Sequence, residues 1–231
     1  MKNIIKKNYV RFIFICLGAI IALSFFLLII YYFLVFNQTP TYEAELEEDY
    51  SKISSGFVSY TEDNYYPTLP ETAPIKGNPN ASVVIYEFAD FGCNYSAQMQ
   101  PIISSLLKKF PEKIKVVFKD SPTDYSYPAH LAARCAQAQG KFWEYSDMLW
   151  KQKDFSDATI ISLAQSLNLN LEDFNLCIQN KSADKFIEYD SKEADALSIL
   201  GTPHLYINKI EIAGFSTEEE LVKIIQNEIN N

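Results

Sequence analysis

The residue best placed for chemistry is Cys93, which stands between a strand-like and a helix-like segment. Residues 82–88 form a short segment rich in β-branched and aromatic side chains, which is the pattern of a buried strand. Residues 97–110 carry apolar side chains at helical spacing. Cys93 is therefore predicted at a helix N-terminus. Backbone N–H groups and the positive end of the helix dipole stabilise a thiolate there, which makes the sulfur a better nucleophile than that of an ordinary cysteine.

Ser96 stands three residues after Cys93, at the place where a C-x-x-C redox site carries its second thiol. A serine hydroxyl can donate a hydrogen bond to the Cys93 thiolate. It cannot attack a mixed disulfide and release the bound partner, which is the task of a second thiol. Cys93 and Ser96 together predict an exchange reaction that either ends at the mixed disulfide or needs an outside thiol to release the partner.

Three landmarks occur in order along the chain around and after Cys93. They are the motif FADFGCNYS at residues 88–96, Pro101 in the following helix and the motif LGTPHLYIN at residues 200–208. Over about residues 75–230 the chain resembles the DsbA-type proteins, which are thioredoxin-like disulfide oxidoreductases outside the bacterial cytoplasm. The resemblance implies that Pro203 is a cis proline packed beside the Cys93 sulfur and that Thr202 pairs with an extended substrate chain.

The fold class expected from this resemblance is α/β, a thioredoxin-like fold with the helical insertion of the DsbA type. Residues 132–136 and 139–145 resemble parts of that insertion, which we place at about residues 127–199 with four helices. A hairpin turned at Asn208 and Lys209 and a final helix capped by Ser216 or Thr217 follow it. A mixed sheet flanked by helices results from this order.

Two other interpretations of Cys93 stay open at the level of sequence. The cysteine is an inert buried side chain packed like a small hydrophobe, or the domain has kept the fold and lost the chemistry. In the second case the groove serves only to bind a partner, as a redox-inactive or chaperone-like module. The reactivity of Cys93 separates these interpretations.

Cys135 and Cys177 both fall in the predicted insertion, each on a helix-like segment. In an oxidising compartment they are candidates for a structural disulfide. The alternatives are two buried free thiols, or one thiol that resolves a mixed disulfide formed at Cys93. The sequence does not decide among them, because disulfide partners need Cα atoms within about 7 Å.

The N-terminal region predicts a membrane anchor. Residues 12–36 are 25 residues without a charged side chain, enough to cross a hydrocarbon core of about 30 Å. Residues 1–11 carry four basic side chains and precede this transmembrane helix. By the positive-inside rule they are cytoplasmic, so the chain is expected in the cytoplasmic membrane as a single-pass protein with its C-terminal domain outside the cytoplasm.

The chain beyond the predicted span divides into an acidic, proline-containing linker at residues 37–74 and a folded domain at residues 75–231. After residue 36 it holds 16 basic and 29 acidic side chains, a net charge of −13. This balance argues against nucleic acid as a partner.

The function expected from these residues is extracytoplasmic thiol–disulfide exchange through Cys93, of the isomerase or reductase kind. The expected substrates are protein thiols and disulfides, with a small thiol or a redox partner protein completing the cycle. No Cys/His spacing resembles a closed zinc site and no Gly-rich phosphate loop occurs, so no bound cofactor is expected. Glu87 and Asp90 are candidate proton-handling carboxylates near the sulfur, and for Asp90 a capping or solvated role is the alternative.

Overall fold

The computed structural model describes residues 22–31, 33 and 66–230 of the 231-residue chain. Residues 22–31 are helical, whereas the predicted basic segment 1–11 and most of the predicted span 12–36 lie outside the described residues. No helix in the described segments combines the length and the apolar character that a membrane crossing requires. The anchor stays a prediction from the sequence.

Five strands within residues 66–230 form one mixed sheet in the order β1-β3-β2-β4-β5. The strands are β1 Ile75–Gly77, β2 Val83–Ala89, β3 Ile114–Asp120, β4 His204–Ile207 and β5 Ile210–Ala213. β2 and β3 are parallel, and the other neighbouring pairs are antiparallel. The predicted turn at Asn208 and Lys209 is confirmed, because Ile207 pairs with Ile210 across it.

The same part of the chain forms seven helices. They are α1 Asn94–Lys109, α2 Tyr127–Gln137, α3 Phe142–Leu149, α4 Asp157–Ser166, α5 Leu171–Asn180, α6 Asp184–Ala196 and α7 Glu218–Asn230. Pro101 lies inside α1 as predicted, and the Thr217 backbone N–H and hydroxyl group bond to Glu220 at the start of α7.

The helical insertion contains five helices rather than the four predicted. α5 ends at Lys181, whose φ of 52° is left-handed, and α6 begins three residues later. Left-handed helix ends are usually occupied by glycine. The sequence does not indicate this break, because the left-handed position is occupied by a lysine and not by the glycine that usually signals a helix end.

The two faces of the sheet build two apolar layers. On one face Val83 and Ile85 of β2 pack with Met99 and Leu106 of α1 and with Leu221 of α7. On the other face the alternate β2 side chains join α6 and the residue that follows it, in a cluster of Tyr86, Phe88, Val117, Ala194, Leu197 and Tyr206. The central strand is buried on both sides, which explains its nearly continuous apolar sequence.

Residues 66–74, which the sequence analysis placed in the linker, are packed against the domain. The backbone N–H of Thr68 donates to Glu193 at 2.8 Å, and the carbonyl of Thr72 accepts from Gln137 at 2.7 Å. Pro74 accepts a hydrogen bond from the backbone of Phe118. The folded domain therefore begins before residue 75, at a boundary that these long-range contacts set and that composition alone did not show.

Cys135 of α2 and Cys177 of α5 form a disulfide with a Cα–Cα distance of 5.8 Å. Both cysteines are buried. The bond joins two helices that are separated by α3 and α4 along the chain, so it holds the insertion together from within.

We predict that the double substitution Cys135→Ala and Cys177→Ala lowers the free energy of unfolding by about 4 kcal/mol, because the bond closes a loop with a sequence separation of 42 residues. Urea denaturation of the full chain measures this loss. Cys93→Ala removes a thiol outside the disulfide and serves as the matched control. A double variant that is no less stable than this control would contradict the prediction.

Candidate active site

Cys93 closes the turn after β2 and is the N-cap residue of α1, with an extended backbone at φ −88° and ψ 121°. Its N–H donates to the Asp90 carbonyl at 2.9 Å, and its carbonyl accepts from Ala97 at 3.0 Å as the first helical bond. The predicted position at a helix N-terminus is confirmed. Among the described residues Cys93 is the one free cysteine, and it is partly exposed.

Fixed hydrogen-bond donors surround the Cys93 sulfur. Burial acts to raise the pKa of the Cys93 thiol, but the backbone N–H of Ser96, the Thr202 side chain and the Ser96 hydroxyl lower it, and the net shift is downward. The thiol proton has its own partner, because Sγ donates to the Thr202 carbonyl at 3.2 Å. Thr202 thus contacts the thiol through its carbonyl and the thiolate through its side chain.

Ser96 is fully buried in the first turn of α1. Its hydroxyl accepts a long hydrogen bond from the Asp90 backbone at 3.4 Å, which leaves the hydroxyl proton to be donated to the Cys93 thiolate. The carbonyl of Ser96 accepts from Gln100 at 3.0 Å. These contacts hold Ser96 as a donor to the sulfur, in the position where a dithiol site would hold a second nucleophile.

The segment before β4 faces Cys93. The Thr202–Pro203 peptide bond is cis, which is the geometry that the resemblance implied. Pro203 is buried and Thr202 is partly exposed, while the Leu200 side chain next to them is 99% exposed. The structure therefore places Ser96 and Thr202 in contact with the Cys93 sulfur, and Pro203 follows Thr202 through the cis bond.

Two aromatic side chains lie next to each other near this site. Tyr95 follows Cys93 at the start of α1, Phe215 follows β5, and their ring centroids are 6.5 Å apart. Both are exposed, as is Leu200. We refer to Tyr95, Leu200 and Phe215 as the apolar rim of the site.

Glu87 is a fully buried carboxyl group in the middle of β2, on the face that α1 covers. One of its oxygens accepts from Gln100 at 2.9 Å, and the other has no hydrogen-bond partner among the described residues. Burial raises the pKa of Glu87 to about 7, although the Gln100 bond acts in the opposite direction. Gln100 also bonds to Ser96, so a group that titrates near neutral pH is linked to the helix that carries the thiol.

The Asp90 carboxylate stabilises the turn that precedes Cys93. Its carboxylate accepts from the Gly92 backbone at 2.8 Å and lies 3.5 Å from Nε2 of His130. Burial acts to raise the pKa of Asp90, but the hydrogen bonds from His130, Ser126 and Gly92 lower it overall. Of the two roles left open by the sequence, the structure favours that of an ionised carboxylate that fixes the turn.

His130 connects this turn to a buried network of charged side chains. Nδ1 lies 2.6 Å from Asp120, and in the neutral ring Nε2 accepts from the Phe91 backbone at 3.3 Å. Burial acts to lower the pKa of His130, but its hydrogen bonds and ion pairs with Asp120 and Asp90 raise it overall. In the charged ring both nitrogens donate, one to each carboxylate.

The network continues from Asp120 into the insertion. Arg134 Nε lies 2.5 Å from Asp120, and Nη2 lies 2.7 Å from Asp190. Lys119 contacts Asp190 at 3.0 Å and Glu193 at 2.7 Å. These side chains come from β3, α2 and α6, so the network fastens two insertion helices to the strand next to the active-site strand.

Sequence reasoning missed this network. A signal was present, since Lys119 and Asp120 end a strand of apolar residues, and His130 and Arg134 occur one helical turn apart among alanines. Charged residues inside apolar patterns are usually paired when buried. Asp190 lies 71 residues from Lys119 and 56 residues from Arg134 along the chain, so local spacing does not reveal the pairing.

A thiol at a helix N-terminus beside a Thr-cis-Pro segment, on a sheet with a helical insertion, defines a thioredoxin fold of the DsbA type. The family model described as thioredoxin matches residues 69–227. The chain belongs to the thioredoxin family.

Solved structures with this fold include the thiol-disulfide exchange protein alpha-DsbA2 from Wolbachia pipientis. It is 25% identical, with a TM-score of 0.63 over 80% of this chain and 97% of that chain. BdbD from Bacillus subtilis, in its oxidised form, is 22% identical with a TM-score of 0.63 and covers 70% of this chain and 95% of its own. The second likeness concerns the fold alone.

A curated relative, the Na(+)/H(+) antiporter NhaA 3 from Salinispora tropica, is 32% identical over 147 residues. The match covers 62% of this chain and 22% of the antiporter. The chain thus spans less than a quarter of the length of that relative, and the likeness carries no conclusion about ion transport.

We predict that Glu87→Gln changes how stability depends on pH. A carboxyl group with a pKa of about 7 when folded and 4.5 when unfolded makes the free energy of unfolding fall as pH rises through that window, by about 3 kcal/mol in total. Below the window both states hold the proton, and above it both have lost it. Glu87→Gln removes this fall, so the variant gains stability over the parent as pH increases from 4.5 to 7.

Urea denaturation at a series of pH values measures the effect, with Glu112→Gln, at an exposed position, as the matched control. If the stability difference between Glu87→Gln and the parent stays constant across the window, Glu87 does not have the raised pKa.

Proposed function

We propose that the chain catalyses thiol–disulfide exchange on protein substrates through Cys93, as a monothiol exchanger of the isomerase or reductase kind. The observation that carries the proposal is the position of Cys93, a partly exposed thiol at the N-terminus of α1 whose Sγ lies 3.2 Å from the Thr202 carbonyl. The donors around this sulfur lower its pKa and so favour the nucleophilic thiolate.

The reaction begins when the Cys93 thiolate attacks a substrate disulfide. The S–S bond of the substrate breaks, one substrate sulfur leaves as a thiolate, and the other becomes bonded to Cys93. The Ser96 hydroxyl and the α1 backbone N–H groups stabilise the thiolate before attack and again when it leaves. Regeneration of the free Cys93 thiolate requires a second thiolate to attack the Cys93 mixed disulfide.

The second thiol comes from outside the site. Within the described residues Cys135 and Cys177 are bonded to each other, so neither is the resolving thiol, and Ser96 has no sulfur. When another cysteine of the substrate attacks, the net reaction is isomerisation. When external thiols attack, the net reaction is reduction of the substrate, and two external thiols are oxidised to a disulfide.

The Thr202–Pro203 segment supports binding of an extended peptide. Thr202 is partly exposed beside the sulfur, and the apolar rim of Tyr95, Leu200 and Phe215 offers contacts for substrate side chains. Main-chain pairing with side-chain contacts on either side is the recognition mode of strand addition. It suits substrates that differ in sequence.

We further propose that the domain lies outside the cytoplasm and is anchored by residues 12–36. The uncharged run, the preceding basic residues and the acidic chain beyond support this orientation. The Cys135–Cys177 disulfide is consistent with an oxidising compartment.

A second candidate function is binding without redox chemistry. The observation that favours it is the serine at position 96, together with an exposed apolar rim that serves a binding module equally well. The two functions differ in whether Cys93 forms covalent adducts.

We predict that the parent chain accumulates a mixed disulfide at Cys93 with a peptide disulfide, and that Ser96→Cys releases this adduct. The new thiol lies within reach of Cys93, because Ser96 already donates to the sulfur. Mass spectrometry of acid-quenched samples measures the adduct over time, with the modified cysteine identified by peptide mapping.

The matched control is Ser104→Cys, which adds an exposed thiol to the same helix at about 16 Å from Cys93 along the helix axis. This control retains the adduct at the level of the parent chain. Absence of any adduct at Cys93 in the parent would refute the exchange function and leave the binding module as the better account.

A further inference from the structure

A cavity of about 370 Å³ lies on the insertion side of Cys93. It is bounded by the start of α1 and by the segment that follows α3, and its lining includes Cys93, Asn94, Tyr125, Trp150, Lys153 and Phe155. Its volume falls in the range of small-molecule sites. The cavity is separate from the apolar rim, none of whose residues lines it.

Aromatic side chains fix the walls of the cavity. Trp150 packs on Phe91 at a centroid distance of 4.4 Å, and Tyr125 packs on Phe155 at 5.4 Å. The Tyr125 hydroxyl donates to the Lys153 carbonyl at 2.6 Å, which holds the segment after α3 in place. The cavity is therefore formed before any ligand enters.

Lys153 gives the cavity a positive charge. Its ammonium group donates to Asn94 Oδ1 at 3.0 Å, and Asn94 is the residue directly after Cys93. Among residues 66–230 no carboxylate forms an ion pair with Lys153, and the neighbouring Asp154 carboxylate is bonded to Ser156 and Thr159 instead. A cation at this place stands out in a chain with 29 acidic residues.

We propose that this cavity binds a low-molecular-weight thiol, or its disulfide, that carries a carboxylate. The carboxylate pairs with Lys153, the apolar part of the molecule lies on Trp150 and Phe155, and the sulfur meets Cys93. This inference rests on the proposed exchange function. It assigns a binding place to the outside thiol that a monothiol site requires.

The reaction balances in both directions. In resolution, the thiolate of the small molecule attacks the Cys93 mixed disulfide, bonds to the Cys93 sulfur and releases the protein substrate as a thiolate. A second molecule of the small thiol then attacks this adduct, leaves as the symmetrical disulfide and returns Cys93 as a thiolate. In the reverse direction the small disulfide oxidises a substrate and is reduced to two thiols.

Three symmetrical disulfides that differ in charge test the proposal on the full chain. They are 3,3′-dithiodipropionate (anionic), 2-hydroxyethyl disulfide (neutral) and cystamine (cationic). The measurement is the rate of adduct formation at Cys93, by quenched mass spectrometry with peptide mapping, divided by the rate for Cys93 in the urea-unfolded chain. Ratios between probes within one variant cancel changes in the fraction of thiolate, so they report binding of the probe.

We expect the corrected rate to be about threefold to fivefold higher for dithiodipropionate than for 2-hydroxyethyl disulfide, and lowest for cystamine, as one solvent-accessible ion pair allows. Lys153→Gln abolishes this order. Lys151→Gln makes the same charge change at an exposed position that does not line the cavity, and it preserves the order.

Equal corrected rates for the three probes in the parent chain would overturn this inference and leave the exchange function intact. The inference also fails if Lys151→Gln reduces the preference for the anionic probe as much as Lys153→Gln does, because the preference then reflects the overall electrostatic field of the domain and not binding at Lys153. If no probe forms an adduct at Cys93, both the inference and the exchange function fail.

Discussion

The structure depends on a buried network of charges that joins the helical insertion to the sheet and to the active-site turn. It runs from Glu193 and Asp190 through Lys119 and Arg134 to Asp120, and through His130 to Asp90 below Gly92. Removing one member of such a network strands a charge in the interior, which typically costs about 3–5 kcal/mol. The network therefore restricts movement of the turn beneath Cys93.

A fixed turn is what a thiolate nucleophile requires. The groups that stabilise the charge on Cys93 are the backbone N–H and hydroxyl groups of Ser96 and the side chain of Thr202, all held in place before reaction. In the proposed exchange reaction Ser96 has two consequences, because it stabilises the Cys93 thiolate and, having no sulfur, leaves release of the bound substrate to an outside thiol. The proposal thus derives both the stabilised thiolate of the first step and the need for an outside thiol in the second step from one side chain.

The local features of the site were predictable, since they depend on neighbours in sequence. Cys93 at a helix N-terminus, the Asn208 turn and the Thr217 cap each follow from a few adjacent residues. Features set by distant contacts were not predictable in the same way. The packing of Thr68 on Glu193 across 125 residues and the partners of the buried Lys119 needed the folded chain. The resemblance to DsbA-type proteins supplied the Thr202–Pro203 geometry, which no local pattern requires.

The scaffold is expected to make Cys93 a thiolate nucleophile, and the pH dependence of Cys93 alkylation in the full chain tests this property. Iodoacetamide labelling at Cys93, followed by peptide mapping from pH 4 to 10, gives the midpoint in the folded chain and, in urea, the midpoint in the unfolded chain. We predict a lower midpoint in the folded chain, because hydrogen bonds to the sulfur stabilise the thiolate. An equal or higher midpoint in the folded chain would contradict it.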